Sequence, residues 1–275
     1  MWSTSARRGF VAGTRCGAAP VGCEVVAAMS VYPDGVPGEK ALRGLVGGAV
    51  LAYWSAVDPE REDEFNRWYT RQHLPERVGI PGFLRGRRYV CTDGAGGRRR
   101  TYFTLYEVEG LATLTSDAYM KRLENPSDWS RRVLPWFTRA DRTACSVTCT
   151  LGRGIGGWAA VVELGPGHGG GDEEVLRSWL TRAALPAAMD VPLVVGAHLC
   201  EADAGATAAK SRTGESGVVG TSEAMARWLV LVEAAAPDAL DAVAPILCGE
   251  DGAGAHGGAG DVTFERCRLL FSLSG

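Results

Sequence analysis

The sequence predicts an α+β protein built from two tandem β-α-β-β-α-β units whose sheets pack against each other within one chain. Three observations predict it. Apolar runs of strand length alternate with amphipathic helical stretches in that order over residues 46–151. The stretch Trp68-Tyr69-Thr70-Arg71-Gln72-His73-Leu74-Pro75 recurs in degenerate form 111 positions later, as Trp179-Leu180-Thr181-Arg182-Ala183-Ala184-Leu185-Pro186. Each unit can cover only one face of its sheet with its own helices, so the other face needs a partner.

Ala49 to Val57 is an apolar run bounded by Gly47-Gly48 and Asp58-Pro59, and reads as a buried strand. Asp58 fits a helix N-cap, with Pro59 at the first helical position. Glu60, Glu62, Asp63 and Glu64 set negative charge at the positive end of that helix. Its inner ridge is Phe65, Trp68, Tyr69, Gln72 and His73, at helical spacing. Pro75 disfavours helical geometry at Leu74, so the helix is expected to stop there, with His73 in its last turn. Phe83 to Thr92 reads as the second strand, Asp93 to Gly97 as a turn, and the alternating Thr101 to Val108 as the third strand. Leu111 to Leu123 reads as a helix, Asp128 to Phe137 as a short aromatic segment, and Arg142 to Leu151 as the fourth strand. This is the ferredoxin-like order.

The second half repeats it. Ala49, Val50, Glu62, Trp68, Thr70, Arg71, Leu74, Pro75 and Pro81 match Ala160, Val161, Glu173, Trp179, Thr181, Arg182, Leu185, Pro186 and Pro192 without a gap. Trp228 to Ala234 answers the third strand, Asp238 to Leu247 the second helix, and Val262 to Leu273 the last strand. The domains expected are residues 46–151, a glycine-rich linker at 152–157, and 158–275. The linker imitates part of a dinucleotide fingerprint, but a strand follows it where that fingerprint needs a helix. Ala202 to Ala226 and Gly249 to Asp261 read as surface excursions. Residues 1–45 are expected to be a disordered extension, or the product of a start placed upstream of Met29.

Charge is divided between the halves. Residues 60–150 hold sixteen Lys/Arg and twelve Asp/Glu, whereas residues 151–275 hold eight and sixteen, which suggests halves that face each other. Arg98-Arg99-Arg100 is too short, and too isolated from other basic residues, to predict nucleic-acid binding. No apolar run reaches the roughly 18 residues of a membrane helix. None of the eight cysteines forms a C-x-x-C pair, and Cys145 and Cys149 are expected to share a strand face. Buried thiols in a reducing cytoplasm are the expectation.

The pattern F-N-x-W-Y-x-x-x-H-L-P-E-R, followed by P-G-F-L-x-x-R-R-Y and N-P-x-x-W-x-R-R, is carried by Phe65 to Tyr89 and Asn125 to Arg132. It resembles the EthD-type branch of the dimeric α/β-barrel superfamily, over about a hundred residues; the second half joins only through the repeat. The resemblance implies an intramolecular dimeric α/β barrel with a mostly apolar pocket between sheet and helices, sized for a small aromatic or polyketide-like molecule. Members of the superfamily include cofactor-free monooxygenases, isomerases, polyketide cyclases, decarboxylases and haem enzymes.

Comparison of the two copies locates the expected site in the first. Tyr69 becomes Leu180 and His73 becomes Ala184; with the third strands aligned by Glu107 and Glu233, Thr104 becomes Val230 and Tyr106 becomes Val232. His73 is the candidate acid or base, because an imidazole titrates near neutral pH, and the expected helix C-terminus would favour its protonated form. Tyr69 or Tyr106 would orient a substrate oxygen, and Arg88 or Arg131 would hold a carboxylate; Trp129 and Thr104 complete the expected substrate contacts. Each has a bland alternative: a capping histidine, core tyrosines. Trp68, which recurs as Trp179, is expected to be packing, and Arg71 and Arg182 a shared structural salt bridge. His168 and His256 are expected in solvated loops, and His198, opposite Arg87, as structural.

The expected function is cofactor-independent small-molecule chemistry of the lyase, isomerase or cyclase type through His73, with a small hydrophobic substrate as partner. The alternatives are a non-catalytic module binding a hydrophobic metabolite or a protein, a cofactor-free monooxygenase, and haem binding with His73 as axial ligand. Nothing predicts nucleic-acid or membrane partners, and a homodimer of the whole chain is left open.

Overall fold

The computed structural model describes residues 44–91, 101–166, 170–208 and 227–275. Its strands are β1 (Ala49–Val57), β2 (Phe83–Cys91), β3 (Thr101–Val108), β4 (Phe137–Gly152), β5 (Trp158–Pro166), β6 (Val194–Ala202), β7 (Trp228–Ala234) and β8 (Gly258–Ser274). They close into one antiparallel barrel in the order β1-β3-β2-β8-β5-β7-β6-β4. Within the first half the order is β4-β1-β3-β2, and within the second β8-β5-β7-β6. The halves meet at two seams, β2 against β8 and β4 against β6.

Alternation along the strands divides the core into three layers. Val50, Ala52, Trp54, Phe103, Leu105, Val161 and Leu231 point into the barrel. Leu51, Tyr102, Tyr106 and Val108 point outward, under the first-half helices. Those helices are α1 (Glu62–Trp68), α2 (Leu74–Val78), α3 (Asp117–Glu124) and α4 (Asp128–Val133). Val162, Leu164, Val230 and Val232 lie under α5 (Gly170–Trp179), α6 (Leu185–Met189) and α8 (Ala239–Cys248). A short α7 (Ala204–Ala208) follows β6 and sends Ala206 into the first-half core.

The predicted helix does not stop before Pro75. A π turn, Tyr69–His73, joins α1 to α2, and the Leu74 N–H bonds the Tyr69 carbonyl five residues back. A wider turn at this point accommodates a proline ring that would clash in an unbroken α-helix. Leu180–Ala184 does the same before Pro186. His73 therefore sits in mid-helix, and the argument from a helix C-terminus does not apply to it. Asp58 caps as expected, accepting from the Glu60 N–H at 3.1 Å.

The barrel interior holds a buried ionic network that joins the halves. Arg85 forks onto Glu107 at 2.7 and 2.8 Å. Arg87 bridges Glu107, at 2.9 Å, to Glu233. Tyr89 donates to Glu233 at 3.3 Å, while His198 lies between Glu233, at 3.4 Å, and the Thr150 hydroxyl, at 2.6 Å. Burial alone would raise the Glu233 carboxyl, but Arg87 and His198 outweigh it and hold it below the ordinary carboxylate range. Arg139 and Glu265 add a second ion pair between the halves, at 3.9 Å.

Several expectations are corrected. Cys91 and Cys267, 176 residues apart, face each other across the β2–β8 seam and form a disulfide, so this pair is not two thiols. Sequence spacing could not show it, because the barrel closure brings the two together. A register shift between Val147 and Cys149 turns Cys149 out toward the second-half core, while Cys145 stays inside the barrel. Arg71 and Arg182 are exposed and form no ion pair among the described residues. The 249–257 segment packs down: Ala253 is buried, and His256 stacks on Trp179 with ring centres 4.7 Å apart. Leu45 is buried in the barrel core, one residue before the expected start of the first unit. Residues 1–43, the expected turn 93–97, Arg98 to Arg100, His168 and most of the 202–226 excursion lie outside the described residues. Among the described residues no helix is long and apolar enough to cross a membrane.

Candidate functional site

A cleft opens in the first half between the outer face of β1, β3 and β4 and the α1–α2 helix. It is lined by Leu51, Tyr53, His73, Arg77, Tyr106, Tyr119, Leu123, Leu134, Phe137 and Arg142, and its cavity volume is about 30 Å³. That is room for a water or two. It is far below the ~300 Å³ or more of an ordinary ligand pocket. The cavity lies between the sheet and helices of the first half, and it is not of ligand size.

Each lining group is set by its element. The π turn aims Tyr69 and His73 to the same side, their ring centres 4.8 Å apart, and the His73 ring also lies 4.3 Å from Trp68. Trp68 is fixed from behind, its Nε1 donating to Ser130 Oγ at 3.2 Å on α4. The Tyr69 and Tyr106 hydroxyls meet at 3.4 Å. Tyr53 on β1 is the register partner of Arg142 on β4, so both project toward the helices. Arg77 follows His73 by four positions on the same helix and is buried.

The phenols are donors here and not bases. Burial pushes the Tyr106 hydroxyl well above its ordinary value, and the neighbouring Tyr69 adds to this. Burial also raises Tyr69, although Arg88 pulls the other way. Both stay protonated at neutral pH, which leaves the His73 imidazole as the lining side chain of a type suited to proton transfer.

The predicted residues divide into two groups. His73 and Tyr106 line the cleft, and Tyr69 stands directly behind them. Thr104 is wholly buried on the same face, its hydroxyl without a well-formed hydrogen bond. Arg88 does not reach the cleft. It is boxed in by Tyr69, Tyr102 and Phe65, with its guanidinium carbon 4.0, 4.5 and 5.0 Å from the ring centres, and it donates to Asn66 at 2.8 Å. Arg131 is on the surface, paired with Asp128 at 2.9 Å. Trp129 ties α4 to α1 by donating to Glu64 at 2.9 Å. Arg88 and Trp129 hold rings and helices in place, and none of the three lines the cavity.

Sequence reasoning missed Tyr53, Arg77, Tyr119 and Arg142. A signal for two of them was available: at the same 111-residue offset Tyr53 becomes Leu164 and Arg77 becomes Ala188. Leu164, Leu180, Ala184, Ala188 and Val232 form a filled apolar core in the second half. At about 30 Å³ the cleft has no more room for a haem than for an aromatic substrate, and the His73 ring is packed against Trp68 and Tyr69.

No protein-family model matches the chain, and no curated protein matches it. Among solved structures, a candidate monooxygenase from Fusobacterium nucleatum subsp. nucleatum aligns with a TM-score of 0.53 at 9% identity, over 84% of this chain and 96% of that one. An anthrone oxidase-like protein aligns with a TM-score of 0.52 at 12% identity, over 82% and 92%. At these identities the likeness is one of fold: the chain shares an α+β fold with a closed eight-stranded antiparallel barrel.

Proposed function

We propose that the chain is a tandem pair of ferredoxin-like units, 46–151 and 158–275 joined at 152–157, of the EthD type. In this reading the first unit is a small-molecule enzyme site and the second is scaffold. The observation that carries it is the exchange, position by position, of Tyr53, His73, Arg77 and Tyr106 for Leu164, Ala184, Ala188 and Val232.

The reaction supported best is proton transfer on an enolisable aromatic or polyketide-like compound. His73 takes a proton from a carbon acid, leaving an enolate. Tyr106 donates a hydrogen bond to the enolate oxygen, and the Arg77 charge stabilises it. Return of the proton to another carbon isomerises the substrate, and attack of the enolate on a second carbonyl of the same molecule cyclises it. No step needs a bound cofactor. Because the cleft holds only a water or two, it must widen to admit such a molecule.

The test is solvent deuterium exchange. A panel of enolisable aryl ketones is incubated in D2O with the wild type and with His73→Ala. Label should enter with the wild type, and His73→Ala should slow this by about 10²- to 10⁴-fold. Equal labelling by a folded His73→Ala protein defeats the proposal. Oxygenation of the same enolate is a second reading, favoured by what the two similar structures are called; oxygen consumption during the assay separates it from isomerisation.

A further inference from the structure

Arg142 is half-buried at the cleft and meets no carboxylate among the described residues, whereas Arg85 and Arg87 meet Glu107 and Glu233. Arg142 has only neutral contacts among the described residues, and long ones. Its Nη1 reaches the Tyr119 hydroxyl at 3.5 Å, and its Nη2 the Ala206 carbonyl at 3.4 Å. Its Nε is buried with no hydrogen-bond partner. Good N–H···O bonds fall at 2.7–3.2 Å, so none of the three nitrogens is well served. A guanidinium left this way keeps hydrogen-bonding capacity that a ligand could use.

The surroundings are built to hold that side chain at the cleft. Tyr53 lies opposite it in the β1–β4 register. From the second half, α7 crosses onto β4: the Asp203 N–H bonds the Ala144 carbonyl at 2.8 Å, and the Ala144 N–H bonds Thr207 Oγ1 at 3.0 Å. The Asp203 carboxylate is spent on capping α7, accepting the Ala206 N–H at 2.7 Å. Leu51, Leu123, Leu134 and Phe137 supply a flat apolar bed beside the charge, and the described lining contains no carboxylate.

We infer that Arg142 is the anchor for a carboxylate on the ligand, so that the cleft takes an aryl or enolisable carboxylic acid in preference to its neutral analogues. The planar fork of the guanidinium matches a carboxylate with two parallel hydrogen bonds, and Nε with one Nη forms such a fork. This inference rests on the proposed site only for the location of the cleft, not for the chemistry of His73.

The experiment is equilibrium binding by calorimetry to the full chain at fixed ionic strength, with sodium benzoate and benzamide as probes. Benzoate should bind the wild type saturably, and at least 10-fold tighter than benzamide. Arg142→Met should weaken benzoate by about 10- to 100-fold and leave benzamide unchanged, as expected for loss of charge-assisted hydrogen bonds. Arg142→Lys, which keeps the charge without the fork, should fall between. If Arg142→Met does not fold, the benzoate-to-benzamide ratio of the wild type and of Arg142→Lys decides. No saturable benzoate binding up to about 10 mM, equal binding of the two probes, or undiminished binding by Arg142→Met overturns the inference. Because the readout is binding, failure of deuterium exchange in the assay above leaves this result standing, and the reverse also holds.

Discussion

His73 and Tyr69 pack with ring centres 4.8 Å apart on the inner side of a π turn, and the corresponding pair on the π turn of the second half is Ala184 and Leu180. The turn itself is common to both halves and serves the fold, since each must carry a proline through a helix. What differs is the chemistry mounted on it.

That separation predicts how helix position affects the site. Gly86 on β2 lets α2 lie close to the sheet: a Cβ there would meet Val78 Cγ2 at 3.0 Å and Leu74 side-chain carbons at 3.1 Å. Gly86→Ala should destabilise the protein by about 1–3 kcal/mol, as overpacking does. It should also slow deuterium exchange, by tilting the helix that carries His73. Urea denaturation together with the exchange assay checks both; an unchanged rate would show that helix position is not critical.

The surface residues give the opposite expectation. Arg131 is more than half exposed and pairs only with Asp128. Arg131→Ala should change stability by less than about 0.5 kcal/mol and leave exchange within about 2-fold. A large loss of activity with the fold intact would return Arg131 to the site.

The buried network across the barrel predicts a pH response. The Glu233 carboxyl is held below the unfolded value of about 4.5, chiefly because Arg87 outweighs the effect of burial. A depressed carboxylate contributes stability that is present above its unfolded pKa and lost as the pH falls through the folded one. The wild type should therefore lose stability progressively below about pH 4.5. Glu233→Gln should be less stable by about 3–5 kcal/mol at neutral pH, because Arg87 loses a buried partner. Its stability should also depend less on pH in the acid range. Denaturation series from pH 3 to 7 on both proteins measure this.

The Cys91–Cys267 bond ties β2 to β8, and with it one half to the other. Closing a loop of 176 residues should be worth about 2–5 kcal/mol. A non-reducing peptide digest should recover the two cysteines on linked fragments, and Cys91→Ser should lower the melting temperature. Recovery of both as free thiols would contradict the pairing.

Much of the architecture could be read along the chain. Ala49 to Val57 and Thr101 to Val108 appear as strands at the bounds predicted for them, because a bounded apolar run and a strict alternation are local signals. The π turn was hidden because Pro75 is ordinarily a stop, and only the lengthened turn lets the helix pass it. The disulfide and the face of Cys149 depend on barrel closure and on a register shift, neither of which leaves a local trace. Within the cleft, His73 and Tyr106 emerged from comparing one half with the other, and Tyr53 and Arg77 were available by the same comparison. Arg142 was not: only the β1–β4 pairing reveals that Arg142 faces Tyr53.

If ligand chemistry belongs to the first half alone, crystallography of the full chain with a compound labelled in the deuterium assay will show where it binds. Ligand density is expected under α1 and α2, in contact with His73, Tyr106 and Arg142. Density beneath α5 and α6 against Leu180 and Ala184, or inside the barrel beside Arg87 and Glu233, would contradict it.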